Sequence, residues 1–136
     1  MASAGWALQK AVHAALTADA ALLGLLGGPR VYDDVPQQSA YPYVALGGST
    51  ERDWSTATED GAEHVLTLHV WSRKAGRKEA REIMEALRVV LHDAPLVVDG
   101  LRLVNLRHEF SEARRDADGE TYHGIVRYRA VTEPGT

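Results

Sequence analysis

The sequence contains no cysteine, which excludes a disulfide framework, a thiolate zinc site and a cysteine nucleophile. This absence fits a reducing cytoplasm. The chain also lacks a long hydrophobic run, because the apolar stretch 11–26 is interrupted by His13 and Asp19 and is too short to span a bilayer. The first six residues lack the basic region of a secretory signal. We therefore expect neither a membrane protein nor export through a signal peptide.

Basic residues are scarce in the first half of the chain. Residues 1–72 carry 3 Lys or Arg against 8 Asp or Glu, whereas residues 73–136 carry 12 against 11. The whole chain has a net charge of −4. Affinity for nucleic acid depends mainly on Lys and Arg side chains that neutralise phosphates. The composition therefore disfavours a dedicated nucleic-acid-binding protein.

The remaining composition is that of a folded domain. Hydrophobic residues make up 45% of the 136 residues and charged residues 25%, so the chain can bury a core, and we expect one domain over residues 1–136. Its patterns predict an α/β (α+β) fold, a mostly antiparallel sheet with helices packed on one face and a long polar arm between strands. The first predicted elements are a helix that Ser3 caps and that breaks at 17–19, a helix over 18–26, and strands at 31–32 and 41–46. A long loop or flexible hairpin arm over 47–62 leads to a strand over 64–72 and a helix that ends near 92. The chain then forms a three-strand meander over 97–98, 101–110 and 122–131 and a loose tail over 133–136.

The strand over residues 64–72 has the clearest period of two. Leu66, Leu68 and Val70 share one purely aliphatic face, which we predict to be the core face. The other face is mixed, as on a half-covered surface, and carries Val65, Thr67, His69 and Trp71.

No constellation of catalytic residues accompanies this pattern. A Gly-x-Ser-x-Gly elbow is missing. The segment Gly47-Gly48-Ser49-Thr50 lacks the Lys and the following helix of a phosphate cradle, so we interpret it as a hinge of the arm. The histidines on predicted strands have no recognised ligand spacing, and the carboxylates at 33–34 and 59–60 fit no calcium loop. We predict no catalytic, cofactor-binding or metal site.

Several residues are candidates for binding. Trp54 lies in the polar arm, where it is either an anchor on a partner or a cover for the domain's own core. His69 and Trp71 indicate either subunit contacts or lateral packing. The arginines of the last two strands, Arg102, Arg107, Arg127 and Arg129, indicate either an acidic neighbour or cross-strand pairing. The predicted interface residues are Arg52, Asp53, Trp54, Glu59, Asp60, His69 and Trp71.

A series of short segments, in this order and spacing, carries a resemblance to a known family. From about Leu8 to Val131 the sequence is similar to the small tail-completion, or tail-terminator, proteins of long-tailed phages and phage-derived gene transfer agents. The segments that carry the resemblance are 19–28 (DAALLGLLGG), 31–33 (VYD), Pro36 with 41–44 (YPYV), 64–72 (HVLTLHVWS), Gly76 with Glu79-Ala80, and 100–104 (GLRLV).

The resemblance implies a structural protein that assembles as a homo-oligomeric ring, commonly six-fold. Such a ring seats on the last ring of tail tube protein, stops its growth and presents a surface to neck or stopper proteins on the head side. The protein would be part of the tail of a virion or phage-like particle assembled in the bacterial cytoplasm, and DNA would pass through without specific binding. The alternatives are a head–tail neck adaptor and, from another class, a small ligand-binding α+β module, with an enzyme last.

Overall fold

Three helices cover one face of a five-stranded sheet in the computed structural model, which describes residues 3–135. The strand order is β1-β2-β3-β5-β4, and every neighbouring pair is antiparallel except β1 and β2. The predicted fold class, a mostly antiparallel sheet with helices on one face, is confirmed. The elements are α1 (Ala4–Thr17), α2 (Ala20–Leu26), β1 (Val31–Tyr32), β2 (Tyr43–Asp53), β3 (Ala62–Ser72), α3 (Lys78–Leu91), β4 (Leu101–Arg115) and β5 (Tyr122–Pro134).

The first two helices begin and end at the residues that their sequence favours. The Ser3 hydroxyl accepts a hydrogen bond from the Trp6 backbone N–H at 3.1 Å, and the Asp19 carboxylate accepts one from Leu22 N–H at 2.9 Å. Each side chain satisfies a donor that has no partner within the first helical turn. Gly27 ends α2 in the left-handed conformation, with φ of 79°.

The core lies between the helices and the aliphatic face of β3. Leu66, Leu68 and Val70 are buried there, so the predicted core face of this strand is confirmed. Gly124 of β5 lies on the same side, directly under α3. A Cβ atom at this position would lie only 2.6 Å from the Met84 Sδ, so the absence of a side chain lets the helix approach the sheet closely. This contact fixes α3 against the centre of the sheet.

The predicted boundaries of β2 were wrong. We expected a strand over 41–46 followed by a long loop or a flexible hairpin arm over 47–62. Instead β2 runs from Tyr43 to Asp53 and pairs with β3 along most of that length, so the first part of the expected arm is a regular hairpin strand. The proposed Gly47–Thr50 hinge is instead part of a β-bulge, where the register shifts between Leu46 and Ser49. Residues 48–53 are exposed on both faces, so they carry no alternation from which a strand could be predicted.

The end of the sheet also differs from the prediction. Asp99 and Gly100 do form a turn, in which Leu101 N–H donates to Val98 O at 3.1 Å, but residues 97–98 contribute only an isolated bridge instead of a third meander strand. Of the expected loose tail 133–136, the first two residues belong to β5 and pair with β4. Thr136 lies outside the described residues.

Candidate functional site

One face of the sheet carries none of the three helices, and we call it the open face. Cross-strand partners place its residues in rows, because directly paired residues in an antiparallel sheet point to the same side. One row runs Tyr43, Trp71, His123, Arg114 across β2, β3, β5 and β4. The central part of the open face consists of Val65, Thr67, His69 and Trp71 of β3, His123, Ile125, Arg127 and Arg129 of β5, and Phe110, Glu112 and Arg114 of β4.

Two histidines and a tryptophan are stacked at one end of the open face. His69 Nδ1 lies 2.7 Å from His123 Nε2, and the His123 ring lies on Trp71 with centroids 3.9 Å apart and planes 7° apart. Burial, followed by the nearby His69 and Arg114, lowers the pKa of His123 to about 4. Burial also lowers the pKa of His69. Both rings are therefore neutral near pH 7, so one can donate and the other accept in their shared hydrogen bond.

At the other end of the open face, Glu63 holds two arginines over Trp54. Its carboxylate lies 3.0 Å from Arg52 Nε and accepts a 2.6 Å hydrogen bond from Arg129 Nε. The guanidinium carbons of Arg52 and Arg129 lie 5.9 and 5.0 Å from the Trp54 ring. Trp54 remains 47% exposed. The Trp54 indole is thus in contact with two charged side chains of the open face, and it does not cover the core on the helix side.

Between β2 and β3 the chain forms a turn, Asp53–Gly61, which we call the acidic turn. It is closed by hydrogen bonds from Trp54 N–H to Gly61 O at 3.0 Å and from Thr56 N–H to Glu59 O at 2.7 Å. The Asp53 carboxylate accepts from Ser55 N–H, and hydrogen bonds with the side chain and then the backbone of Ser55 lower the Asp53 pKa. Glu59 and Asp60 are exposed. The turn therefore presents its carboxylates from a hydrogen-bonded loop.

The structure divides the predicted interface residues into two groups. Five of them, Arg52, Asp53, Trp54, Glu59 and Asp60, lie in or beside the acidic turn, whereas His69 and Trp71 lie near the far end of β3. Nine residue steps separate Ala62 from Trp71, which corresponds to about 30 Å along the strand. The two groups therefore do not form a single site within one subunit.

Sequence reasoning missed the partners that complete both groups. His123 supports Trp71, and Glu63 joins Arg52 to Arg129, but these contacts depend on the register between β3 and β5. The alternation of β5 carries part of the signal, since His123, Ile125, Arg127 and Arg129 alternate with residues of the core face. The cross-strand pairing considered for the arginines is present for two of them, since Arg129 pairs with Glu63 and Arg102 with Glu133, whereas Arg107 pairs with Asp93 in the loop after α3.

Residues 3–135 contain no group of three or more His, Asp or Glu side chains placed to hold a metal ion. Over the same range, no helix is long and apolar enough to cross a membrane. Half-buried aromatic and arginine side chains on an uncovered sheet face are typical of surfaces that bind other proteins. The open face therefore has the residue types of a surface that binds other proteins.

The chain belongs to the family of the tail completion protein gp17, whose sequence model matches residues 10–133. The chain is 29% identical over 123 residues to the tail completion protein gp17 of Bacillus phage SPP1, and this match covers 90% of each chain. The family places the protein among the structural components of the virion tail. The predicted family resemblance is confirmed.

Two solved structures have the same fold. A chain in the virion of a native gene transfer agent particle matches with a TM-score of 0.89 and 34% identity, covering 98% of this chain and 99% of that one. The structure of the SPP1 gp17 protein matches with a TM-score of 0.63 and 26% identity, covering 96% and 95%. The agreement with the particle chain extends over almost every residue.

Proposed function

We propose that this protein caps the tail tube as a homo-oligomeric ring, most simply a hexamer, and joins the tail to the head-side neck. The observation that carries the proposal is the near-complete match to a chain of an assembled gene transfer agent virion. Its partners are then further copies of itself, the tail tube protein and a neck or stopper protein. Assembly takes place in the bacterial cytoplasm.

The shape and charge of the subunit support this role. A closed ring needs heterologous contacts, in which one surface of a subunit meets a different surface of the next. The open face and the acidic turn are two such surfaces. A net charge of −4 also suits a ring through which DNA passes without specific binding, because phosphate binding requires an excess of Lys and Arg.

Deleting the gene for this protein from the phage or particle locus that encodes it tests the proposal. We expect complete heads and unjoined tails of irregular length, observed by electron microscopy, because the tube has no cap and no neck contact. Supplying the protein in trans should restore joined particles. Tails of normal length that still fail to join heads would instead indicate a neck adaptor, and normal particles without the protein would overturn the proposal.

We also propose that the protein carries no catalytic, cofactor or metal site, and only protein contacts are required of it. Its histidines lack ligand spacing, and His69 and His123 use their facing ring nitrogens on each other. Untagged protein should contain no stoichiometric metal by elemental analysis. Stoichiometric zinc or iron that disappears in His69→Ala would contradict this expectation.

A further inference from the structure

The open face has an excess of positive charge on a chain that is negative overall. Six arginines lie on it, against the three carboxylates of Glu63, Glu112 and Glu133; the arginines are Arg52, Arg102, Arg107, Arg114, Arg127 and Arg129. Four of the six are held by ion pairs with Glu63, Asp93 or Glu133, and Arg114 lies 3.8 Å from Glu112. The open face therefore keeps a net positive charge, although most of its arginines have a carboxylate beside them.

Arg127 occupies the centre of the open face. It pairs with Thr67 of β3 and Phe110 of β4, and its guanidinium carbon lies 4.7 Å from the Phe110 ring. Within residues 3–135 it is in ion-pair contact with no carboxylate. The guanidinium thus lies over an aromatic ring and outside any ion pair of the described residues, and arginine beside an aromatic ring is frequent at protein interfaces.

The acidic turn has the opposite character. It carries Asp53, Glu59 and Asp60, and the chain has no Lys or Arg between Arg52 and Arg73. Residues 53–60 are all exposed, and Trp54 adds a large apolar surface beside the carboxylates. Because backbone hydrogen bonds already close the turn, little conformational entropy would be lost when it binds.

We propose that the acidic turn of one copy docks on the open face of the neighbouring copy, next to Arg127; this inference rests on the proposed ring and names its subunit contact. The turn cannot reach the centre of its own open face, because Thr67 lies five residues along β3 from Ala62, which is about 17 Å. The contact joins two different surfaces and is therefore heterologous, as a closed ring requires.

The chemistry of the open face favours a protein occupant over DNA. Ile125 and Phe110 give its centre an apolar surface, which phosphates would not contact. Most of its arginines are already next to carboxylates, which limits the phosphate charge that they can neutralise. An acidic turn with a tryptophan matches both the positive charge and the apolar surface.

Complementary charge reversal tests the contact. The two variants are Arg127→Glu, which reverses the open face, and Glu59→Lys/Asp60→Lys, which reverses the turn; neither replaces a residue that holds its local structure. The control is Arg81→Glu. It makes the same charge change at an exposed position of α3, which lies on the other side of the sheet from the open face. Circular dichroism and urea unfolding confirm that each variant folds. Two quantities are measured. Native mass spectrometry gives the oligomeric state, and binding to tails isolated from particles that lack the protein gives the number of copies bound per tail.

Each reversal alone places like charges opposite each other at every contact, so we expect oligomers and tail-bound copies to fall at least about tenfold. A one-to-one mixture should restore both the oligomers and the tail-bound copies. The negative face of Arg127→Glu then meets the positive turn of Glu59→Lys/Asp60→Lys, and the positive face of the second variant meets the negative turn of the first. Such a ring alternates the two variants and needs an even number of subunits, as a hexamer has. Arg81→Glu should behave as wild type.

Three results would overturn the contact: Arg127→Glu that assembles as wild type, a mixture that restores nothing, or wild-type protein that is monomeric on completed tails. A mixture that restores nothing would assign the open face to another virion protein or to DNA, and a gel-shift assay would separate these. The proposed function fails separately, when wild-type protein does not complete tails. Restored oligomers in the mass spectrum would still support the contact in that case.

Discussion

The two faces of the same sheet differ in what their residues do. On the helix side of β5, Val126, Tyr128 and Ala130 are at most 1% exposed and belong to the core beneath α3. On the open side of the same strand, the alternate residues are histidine, isoleucine and two arginines. Burial of apolar area, which stabilises the fold, is concentrated on one face. Aromatic and charged side chains available for binding are on the other. Neighbouring residues of one strand point to opposite faces. A substitution at one position should therefore affect mainly stability, and a substitution at the next should affect mainly assembly.

The largest effect should come from the helix side. Leu68→Ala removes a side chain that is 2% exposed and leaves a cavity beneath the helices, so we expect a loss of about 2–5 kcal/mol in the free energy of unfolding. Thr67→Ala, the adjacent position on the open face, is the matched control and should cost about 1 kcal/mol or less. Urea unfolding measures both. Equal losses would contradict the division of roles between the faces.

Substitution of Trp54 should weaken assembly but leave the stability of the subunit nearly unchanged. Trp54→Ala removes a 47% exposed indole that contacts arginines rather than the core, so the free energy of unfolding should change by about 1 kcal/mol or less. Assembly on tails should weaken by about 2 kcal/mol, the scale of an interface hot spot. The control is Trp6→Ala, because Trp6 is 49% exposed but lies on α1, and it should leave assembly unchanged. A Trp54 variant that unfolds the subunit would show that the indole is part of the core.

The histidine pair should make stability depend on pH. The pKa of His123 falls from 6.5 to about 4 on folding, so the unfolded chain binds more protons between these values. The stabilising contribution is therefore fully present above about pH 6.5 and is lost as the pH falls toward 4. Urea unfolding across this range should show the decline, and His123→Gln should reduce its slope.

Other histidines also contribute to this pH dependence, and Asp118 provides a control for it. Burial also lowers the pKa of His64, His69 and His108, so the slope should be reduced in His123→Gln but not abolished. Asp118→Asn is the control, because its hydrogen bonds with Thr121 lower the Asp118 pKa to about 2, below the histidine range. If Asp118→Asn removed the slope between pH 4 and 6.5, the histidines would not be its source.

The smallest effect should come from the ion pairs of the open face. Glu63→Gln keeps the shape of the side chain but removes the charge that holds Arg52 and Arg129, and we expect a loss of about 1 kcal/mol or less. Glu112→Gln, beside Arg114 at 3.8 Å, should have no measurable effect. Salt should weaken the Glu63 contribution. A loss comparable to that of Leu68→Ala would show that the open face contributes to the core.

Elements with a strong hydrophobic period could be predicted from the sequence. β3 and α3 each bury one regular face, so Leu66 and Ile83 point inward as their spacing indicates. The second half of β2 could not be predicted, because its polar residues are held by hydrogen bonds to β3 and not by burial. Hydrogen bonds to β3 hold this segment in a strand, and such bonds produce no alternation of hydrophobic and polar residues in its sequence.

The candidate site was predictable only in part. Trp54, His69 and Trp71 were identified because large aromatic residues are unusual at polar or mixed positions. Their partners are distant in sequence: Arg129 lies 66 residues from Glu63, and His123 lies 54 residues from His69. Which residues face each other across a sheet depends on register, which is set by the packing of the whole domain. Local sequence therefore indicates the anchors of the open face but not the contacts that support them.

The strand order has a consequence for biosynthesis. β5 is the last strand to leave the ribosome, yet it lies between β3 and β4 in the sheet. About 62 residues separate the end of β3 from the end of β5, which takes roughly 3–12 s to translate at typical rates. During that interval β3 has an unpaired edge, the kind of surface from which strands of different chains associate. Nascent chains on neighbouring ribosomes could therefore pair wrongly through this edge until β5 inserts.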